Sequence, residues 1–268
     1  MFKGLWDEEV YIVADFNGEK YKLASKHQKE WGVRLIDDLA LKGDERVIDL
    51  GCGDGYLTNK IKDLVPKGSV LGIDSSASMI ETAKKLEAPN LKFQKLDIYD
   101  LDFDEEFDVV FSNAALHWVK DHDRMLGNVR KALRPGGLVR FNFAGDGNCS
   151  NFFEVVREVM AIPSYGEYFD GMAWPWFMPP VSDYELLIEP YKFCEWSVWM
   201  ENADRHFTED EMIRWIDQPS IVPFLARMKS DDKQAFRDEV VNRMLQRTIT
   251  PDGRFFETFR RLNLKAKK

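Results

Sequence analysis

The sequence predicts a doubly wound α/β fold, a mostly parallel sheet with helices on both faces, flanked by an N-terminal helical cap and a helical, aromatic lid insertion. Three observations predict it. Between residues 44 and 145, short apolar runs alternate with amphipathic stretches, the rhythm of βαβ units. The first run passes directly into a glycine cluster, Gly51-Cys52-Gly53-Asp54-Gly55. Acidic residues, Asp49, Asp74 and Asp97, stand at or near the ends of the first three runs, where open parallel sheets take their ligands.

Residues 6–43 read as amphipathic helix, with Trp31, Leu35, Ile36 and Leu39 at helical spacing. Arg46–Leu50 is a buried strand entering the glycine turn, and a helix follows over Tyr56–Leu64. Ser69–Ile73 is the second strand and ends at Asp74. Ser75 and Ser76 offer N-caps for a helix over Ala77–Leu86. Leu91–Lys95 and Phe107–Phe111 are the third and fourth strands. A helix over Asp123–Leu133 is stopped by Arg134-Pro135-Gly136-Gly137, and Leu138–Phe143 is the fifth strand. Beyond Asn148 the rhythm breaks. Helices are expected at Phe152–Met160, Asp183–Ile188, Glu209–Asp217, Ile221–Met228 and Asp231–Gln246, with strands at Phe193–Met200 and Phe255–Leu264. The closing Lys265-Ala266-Lys267-Lys268 reads as a solvated tail. The chain thus divides into a cap (1–43), a ligand-binding core (44–145), a lid insertion (146–190) and a C-terminal part (191–268).

Composition narrows the function. A formal net charge of -9 over 268 residues argues against a general nucleic-acid binder, which needs a basic face. Three cysteines, Cys52, Cys149 and Cys194, are too few and scattered for a disulfide framework or a zinc cluster, so no metal is expected. No apolar run approaches the roughly 18 residues of a membrane span, and the N-terminus lacks a secretory pattern. A cytoplasmic protein is expected. Aromatics crowd residues 165–199, where they form either a pocket for an apolar ligand or a packing layer.

In the glycine cluster, absent side chains let the backbone turn tightly and let a ligand approach the main chain. Asp74, 21 residues after Gly53, offers a carboxylate that can accept from two vicinal ribose hydroxyls. Dinucleotide dehydrogenases share both features, but their spacing is Gly-x-Gly-x-x-Gly rather than Gly-x-Gly-x-Gly. Asp49, just before the turn, would repel a diphosphate and suits an ammonium. Asp97 is either an acceptor for an adenine amino group or a turn cap, and Met79 can pack on an adenine face.

Val47-Ile48-Asp49-Leu50-Gly51-Cys52-Gly53-Asp54-Gly55, Gly72-Ile73-Asp74-Ser75-Ser76-Ala77-Ser78-Met79, Asn113-Ala114-Ala115-Leu116-His117-Trp118 and Leu133-Arg134-Pro135-Gly136-Gly137 resemble the ordered motifs of class I S-adenosylmethionine-dependent methyltransferases. The resemblance implies a Rossmann-like seven-stranded sheet with its last strand antiparallel, and S-adenosylmethionine as cofactor. It implies that Asp49 and the Gly51 and Gly53 backbone hold the methionine part, Asp74 the ribose, and Met79, Asp97 and Ile98 the adenine. Cys52, Ser75 and Asn113 complete the expected cofactor shell.

For the methyl acceptor, a small molecule is expected, and a carboxylate above others because it is ionised at neutral pH and needs no general base. His117 and Trp118 can donate hydrogen bonds that orient it, although His117 is alternatively a general base or a structural histidine. His122 reads as a helix-start residue. Within the superfamily the chain is similar to the trans-aconitate and juvenile hormone acid methyltransferases, and by position Gln28 and Trp118 would hold the substrate carboxylate. An arginine is usual in trans-aconitate enzymes where Gln28 falls, which points away from a tricarboxylate. Trp174, Trp176, Phe177, Trp196 and Trp199 point instead to an apolar carboxylic acid. The alternatives are an N- or hydroxyl O-methyltransferase, or a non-catalytic protein that binds the cofactor. Oligomeric state is not legible.

Overall fold

The computed structural model describes residues 26–268, with side chains from Trp31 onward apart from Pro219. Helix α1 (Lys26–Asp37) leads to β1 (Arg46–Leu50), α2 (Tyr56–Leu64), β2 (Ser69–Asp74), α3 (Ala77–Ala83), β3 (Leu91–Lys95), β4 (Phe107–Asn113), α4 (His122–Ala132) and β5 (Leu133–Ala144). Then follow α5 (Ser150–Met160), α6 (Val181–Ile188), β6 (Glu195–Asn202), β7 (Arg205–Phe207), α7 (Glu209–Trp215), α8 (Ser230–Thr248), β8 (Phe255–Glu257) and β9 (Arg260–Lys267). The main sheet has seven strands in the order β3-β2-β1-β4-β5-β9-β6. The first five pair in parallel. Strand β9 is antiparallel to both β5 and β6, as the family resemblance implies.

Alternation along each strand sorts side chains to two faces. Ile48, Leu50, Val110, Phe141, Leu262 and Leu264 join α4 and α6 in one core. Val47, Val109 and Phe111 pack with Leu35 and Ile36 of α1, Ile61 of α2 and Ile80 of α3 in a second. A third core lies outside the sheet, where α5 and α8 pack with Trp176, Phe207, Met212, Phe224 and Phe259. Residues 149–178 and 207–259 therefore build one helical layer beside the strand ends. Among the described residues no helix is long and apolar enough to cross a membrane.

Several expectations are corrected. Helix α1 ends at Asp37 rather than 43, and Ala40 beyond it takes a positive φ of 50°; the part before residue 26 lies outside the described residues. Arg134-Pro135-Gly136-Gly137 does not separate helix from strand. It forms a bulge inside β5, which pairs Phe107 with Leu133 and then Val109 with Leu138. The late strand splits in two because the Asp204 carboxylate takes the Thr258 hydroxyl (2.6 Å) and the Phe259 amide (3.2 Å) and turns the chain. The terminal lysines are no solvated tail. Lys265 lies opposite Arg140 in β9, Ala266 is buried, and the Lys268 ammonium donates to Leu133 O at 2.7 Å. A backbone ladder recruits charged residues as readily as apolar ones when alternate side chains reach an edge or solvent.

Candidate active site

The glycine cluster crosses the carboxyl end of β1 with Gly51, Gly53 and Gly55 at φ of 71°, 55° and 77°, a conformation costly to residues bearing a Cβ. The amides of Gly51 and Cys52 both donate to Ile73 O at 2.9 Å and tie the loop to β2. A Cβ on Gly51 would stand 2.3 Å from the Ala115 methyl, and one on Gly55 would stand 2.7 Å from the Phe93 ring. At Gly53 a Cβ would meet nothing within 4 Å. Two glycines admit close packing, and the third presents bare backbone to open space.

Asp74 ends β2 beneath that open surface. Its carboxylate accepts from Gly53 N at 3.0 Å and Ser76 N at 2.9 Å, and burial raises its pKa above the ordinary carboxylate value. Asp49 is buried under the loop, where it accepts from the Thr58 hydroxyl at 2.7 Å. Burial, with the Asp74 charge adding, raises its pKa to about 7. Ser76 is the N-cap of α3, accepting from Met79 N at 3.4 Å, while Ser75 is exposed. Cys52 and Met79 are buried beside the loop and at the start of α3. Asp97 after β3 caps a single turn by accepting from Tyr99 N at 2.9 Å, and Ile98 packs half-buried against the sheet core. Asn113 closes β4, the other neighbour of β1. The expected cofactor residues thus gather along the carboxyl ends of β1 to β4. Bare backbone at Gly53 beside carboxylates fits a cationic ligand with vicinal hydroxyls and not a diphosphate.

A cavity opens between the loop after β4, Ala144 of β5 and Arg261 of β9, with about 690 Å³ of empty space when the open solvent at its mouth is counted. Its aromatic wall includes Trp31, Trp118, Phe153 and Trp176, and its polar groups include His117, Asn148, Arg205 and Arg261. His117 is 9% exposed, and its Nδ1 has no hydrogen-bond partner. Burial, then the nearby Arg261 guanidinium and His122, lowers its pKa to about 3. A neutral imidazole of such low basicity is a poor proton acceptor at neutral pH. His122 is the first residue of α4 and is buried, with Nδ1 3.0 Å from the Tyr184 hydroxyl and Nε2 3.0 Å from Leu116 O. Its place is structural.

The aromatic segment is pinned over the loop after β4. Phe177 N donates to His117 O at 2.9 Å, and the Lys120 ammonium donates to Trp174 O. Trp118 packs on Trp176 at 5.4 Å and on His117 at 5.7 Å. Of the five aromatics expected to line a pocket, Trp176 does. Trp174 packs behind it at 5.8 Å, with Arg157 over its ring, and Phe177 stacks on His122 at 4.6 Å in the sheet core. Trp196 and Trp199 lie on β6, away from the described cavity lining: Trp196 is exposed and Trp199 is covered by Arg140. Gln28 lies in α1, where the described side chains do not reach. Arg205, Arg261 and Trp31 escaped the sequence reading as site residues. The alternation Arg261-Leu262-Asn263-Leu264-Lys265, polar on every second residue of a central strand, is the signal that marks Arg261.

A family model described as a methyltransferase domain matches residues 41–160. The trans-aconitate 2-methyltransferase of Deinococcus radiodurans is 30% identical over 215 residues, covering 72% of this chain and 76% of that one. A methyltransferase of Schizosaccharomyces pombe of uncharacterised activity is 31% identical over 243 residues, with 87% and 90% covered. The trans-aconitate 2-methyltransferase of Mycobacterium tuberculosis is 28% identical over 268 residues, with 98% and 96% covered. In fold, the chain is similar to Haemonchus contortus phosphoethanolamine N-methyltransferase 2 solved with S-adenosyl-L-methionine (TM-score 0.60, 17% identity, 95% of this chain and 57% of that one). The chain belongs to the class I S-adenosylmethionine-dependent methyltransferases. Within that class it falls in the group that includes the trans-aconitate 2-methyltransferases.

Proposed function

We propose that this methyltransferase esterifies the carboxylate of a small acid with an apolar body. The observation that carries the reading is the cavity at the loop after β4, whose Ala115 abuts Gly51 and where Arg205, Arg261 and a neutral His117 stand among Trp31, Trp118 and Trp176. Cations and an imidazole suit an anionic group, and aromatic walls suit hydrocarbon. The trans-aconitate relatives support a carboxylate acceptor by their name.

S-adenosylmethionine, when bound, supplies a methyl group on a sulfonium that is open to in-line displacement. In this reading the Gly51 and Gly53 backbone and Asp49 hold its methionine part. Asp74 takes the ribose hydroxyls, and Met79, Asp97 and Ile98 hold the adenine, with Cys52, Ser75 and Asn113 completing the shell. His117, Trp118 and Gln28 orient the acceptor carboxylate. No proton has to be removed, because an acid of ordinary pKa is already ionised at neutral pH, so positioning and exclusion of water do most of the work. In the same reading the stretch 146–190 covers the site from one side, residues 31–43 cap it from another, and 191–268 completes the sheet and the acceptor wall. A cytoplasmic location belongs to the same reading, supported by the free thiols of Cys52, Cys149 and Cys194.

The test incubates the enzyme with methyl-labelled donor and separate panels of carboxylic acids, amines and phenols. Label that transfers to an acid and is released by mild alkali is the expected result. Alkali-stable label on an amine or phenol would overturn the carboxylate and leave the methyltransferase.

A further inference from the structure

The α1-facing side of β5 and β9 is polar where a central strand pair would ordinarily be apolar. Arg140, Asn142, Arg261 and Asn263 are at most 4% exposed, and they form one directional chain of hydrogen bonds. Arg140 Nε donates to the Asp38 carboxylate at 2.8 Å, and its Nη1 donates to Asn263 Oδ1 at 3.1 Å. That oxygen also accepts from Asn142 Nδ2 at 2.9 Å. Because Asn142 spends its amide nitrogen there, its Oδ1 is left to face Arg261, whose Nε donates to it at 2.8 Å. Arg261 Nη2 donates to Asn142 O at 3.3 Å, and Asn263 Nδ2 returns to Arg261 O at 3.2 Å. Reversing either amide would set donor against donor, so the charge pair at Asp38 fixes the polarity of the whole relay.

The relay ends at the cavity. Arg261 lines it, and its guanidinium carbon lies 5.0 Å from the centre of the Trp31 ring, on which Arg205 also stacks at 4.5 Å. The unpartnered Nδ1 of His117 belongs to the same lining. A guanidinium gripped through Nε and one Nη has its plane set before any ligand arrives, which reduces the ordering cost of binding a planar carboxylate.

We propose that Arg261 holds an anionic group of the methyl acceptor, and that Asn142 is the positioning residue that aims it, itself fixed by the Asp38–Arg140–Asn263 relay. The inference rests on the acid-methylating reading above and assigns the residue that recognises the acid. Full-length enzyme saturated with S-adenosylhomocysteine is titrated calorimetrically with octanoate and with trans-aconitate, two acids that differ in charge and apolarity. At least one is expected to bind, and Arg261→Gln should weaken it by tenfold or more with S-adenosylhomocysteine affinity unchanged. Asn142→Leu should weaken it about three- to tenfold and raise the acceptor KM in assays without moving the donor KM. Asp38→Asn, at the half-exposed end of the relay, should give a smaller loss of the same kind. In an Arg261→Lys background, which keeps the charge but lacks the fork that Asn142 grips, Asn142→Leu should cost no further affinity. Full additivity there would make Asn142 merely structural and overturn its role. Failure of both acids to bind, or binding within twofold of wild type in Arg261→Gln, would overturn the assignment of Arg261. The two readings fail separately: alkali-stable product refutes the ester, while esters made at the wild-type rate by Arg261→Gln refute the arginine and leave the ester.

Discussion

At the rim over β1 and β2, the groups proposed to face the donor are main-chain amides and carboxylates drawn from residues 49–79, each held by a partner close in sequence or on the next strand. The cavity at the loop after β4 and the ends of β5 and β9 takes its groups from Trp31, His117, Arg205 and Arg261, and Arg261 is held from 119 residues away by Asn142. One side is local and acidic, the other assembled from distant segments and cationic. A local site tolerates change elsewhere in the chain but not within its own turn. An assembled site can alter its specificity one segment at a time.

The largest expected effect tests the local side. Gly51→Ala adds left-handed strain of about 1–3 kcal/mol and drives its methyl into Ala115. Cofactor affinity should fall on the order of a hundredfold with a lowered Tm, the sum of strain and overpacking. Gly53→Ala carries the strain without the clash, so calorimetry should find weaker cofactor binding while the Tm stays closer to wild type. Equal Tm losses would erase the distinction between a packing glycine and a ligand-facing one. Next comes Asp74→Ala, which removes a charged acceptor and frees the Gly53 and Ser76 amides. About 1.5–3 kcal/mol of cofactor binding should be lost, and an unchanged calorimetric Kd would take Asp74 out of the site. On the assembled side, Trp118→Ala should lower kcat/KM for the acceptor about tenfold, the scale of a lost aromatic contact and its burial. Its cofactor Kd should hold, and the reverse pattern would move Trp118 to the other region.

The smallest effect is on stability against pH, where two buried histidines and two buried carboxylates pull in opposite directions. His117 and His122 have their pKa lowered to about 3 and about 4 from the ordinary 6.5, so the unfolded chain binds more protons in that window. Their contribution to stability is complete above about pH 6.5 and is lost as pH falls towards 4. Asp49 and Glu257 are raised to about 7 from ordinary values of 3.8 and 4.5, so here the fold binds more protons. Their contribution is complete below about pH 4 and is lost as pH rises towards 7. Chemical denaturation should therefore give a nearly flat profile between about pH 4.5 and 6.5. The double variant Asp49→Asn, Glu257→Gln should turn it into one that rises with pH, and a profile that stays flat would contradict the opposition.

Legibility followed the same division. Strands β1 to β4, the glycine turn and the acidic strand ends were readable because each is a pattern within a few residues: an apolar run, then glycine, then a carboxylate. The cavity was readable at His117 and Trp118, which follow a strand directly, and at Trp176 within the aromatic segment. Arg205 carries no local mark of binding, and the alternation around Arg261 marks a polar strand face without saying what it meets, which depends on the strands β9 pairs with and on Trp31 arriving from α1. Trp196 and Trp199 misled for the complementary reason, because aromatic density is the same on an edge strand as in a pocket wall. The lysines of β9 misled because charge suggests solvent, while the ladder asks only for backbone.

The placing of β9 bears on how the enzyme comes into being. It lies between β5 and β6 in the finished sheet, yet it is the last of the seven strands to be synthesised. A growing chain can lay down β1 to β5 and their glycine turn while the seat beside β5 is still open. Only when β9 slides into that seat does it deliver Arg261, join β6 to the sheet and finish the acceptor wall. On the proposed assignments, the turn that holds the methyl donor draws on strands made early in synthesis, whereas the wall that selects the acceptor needs the last one.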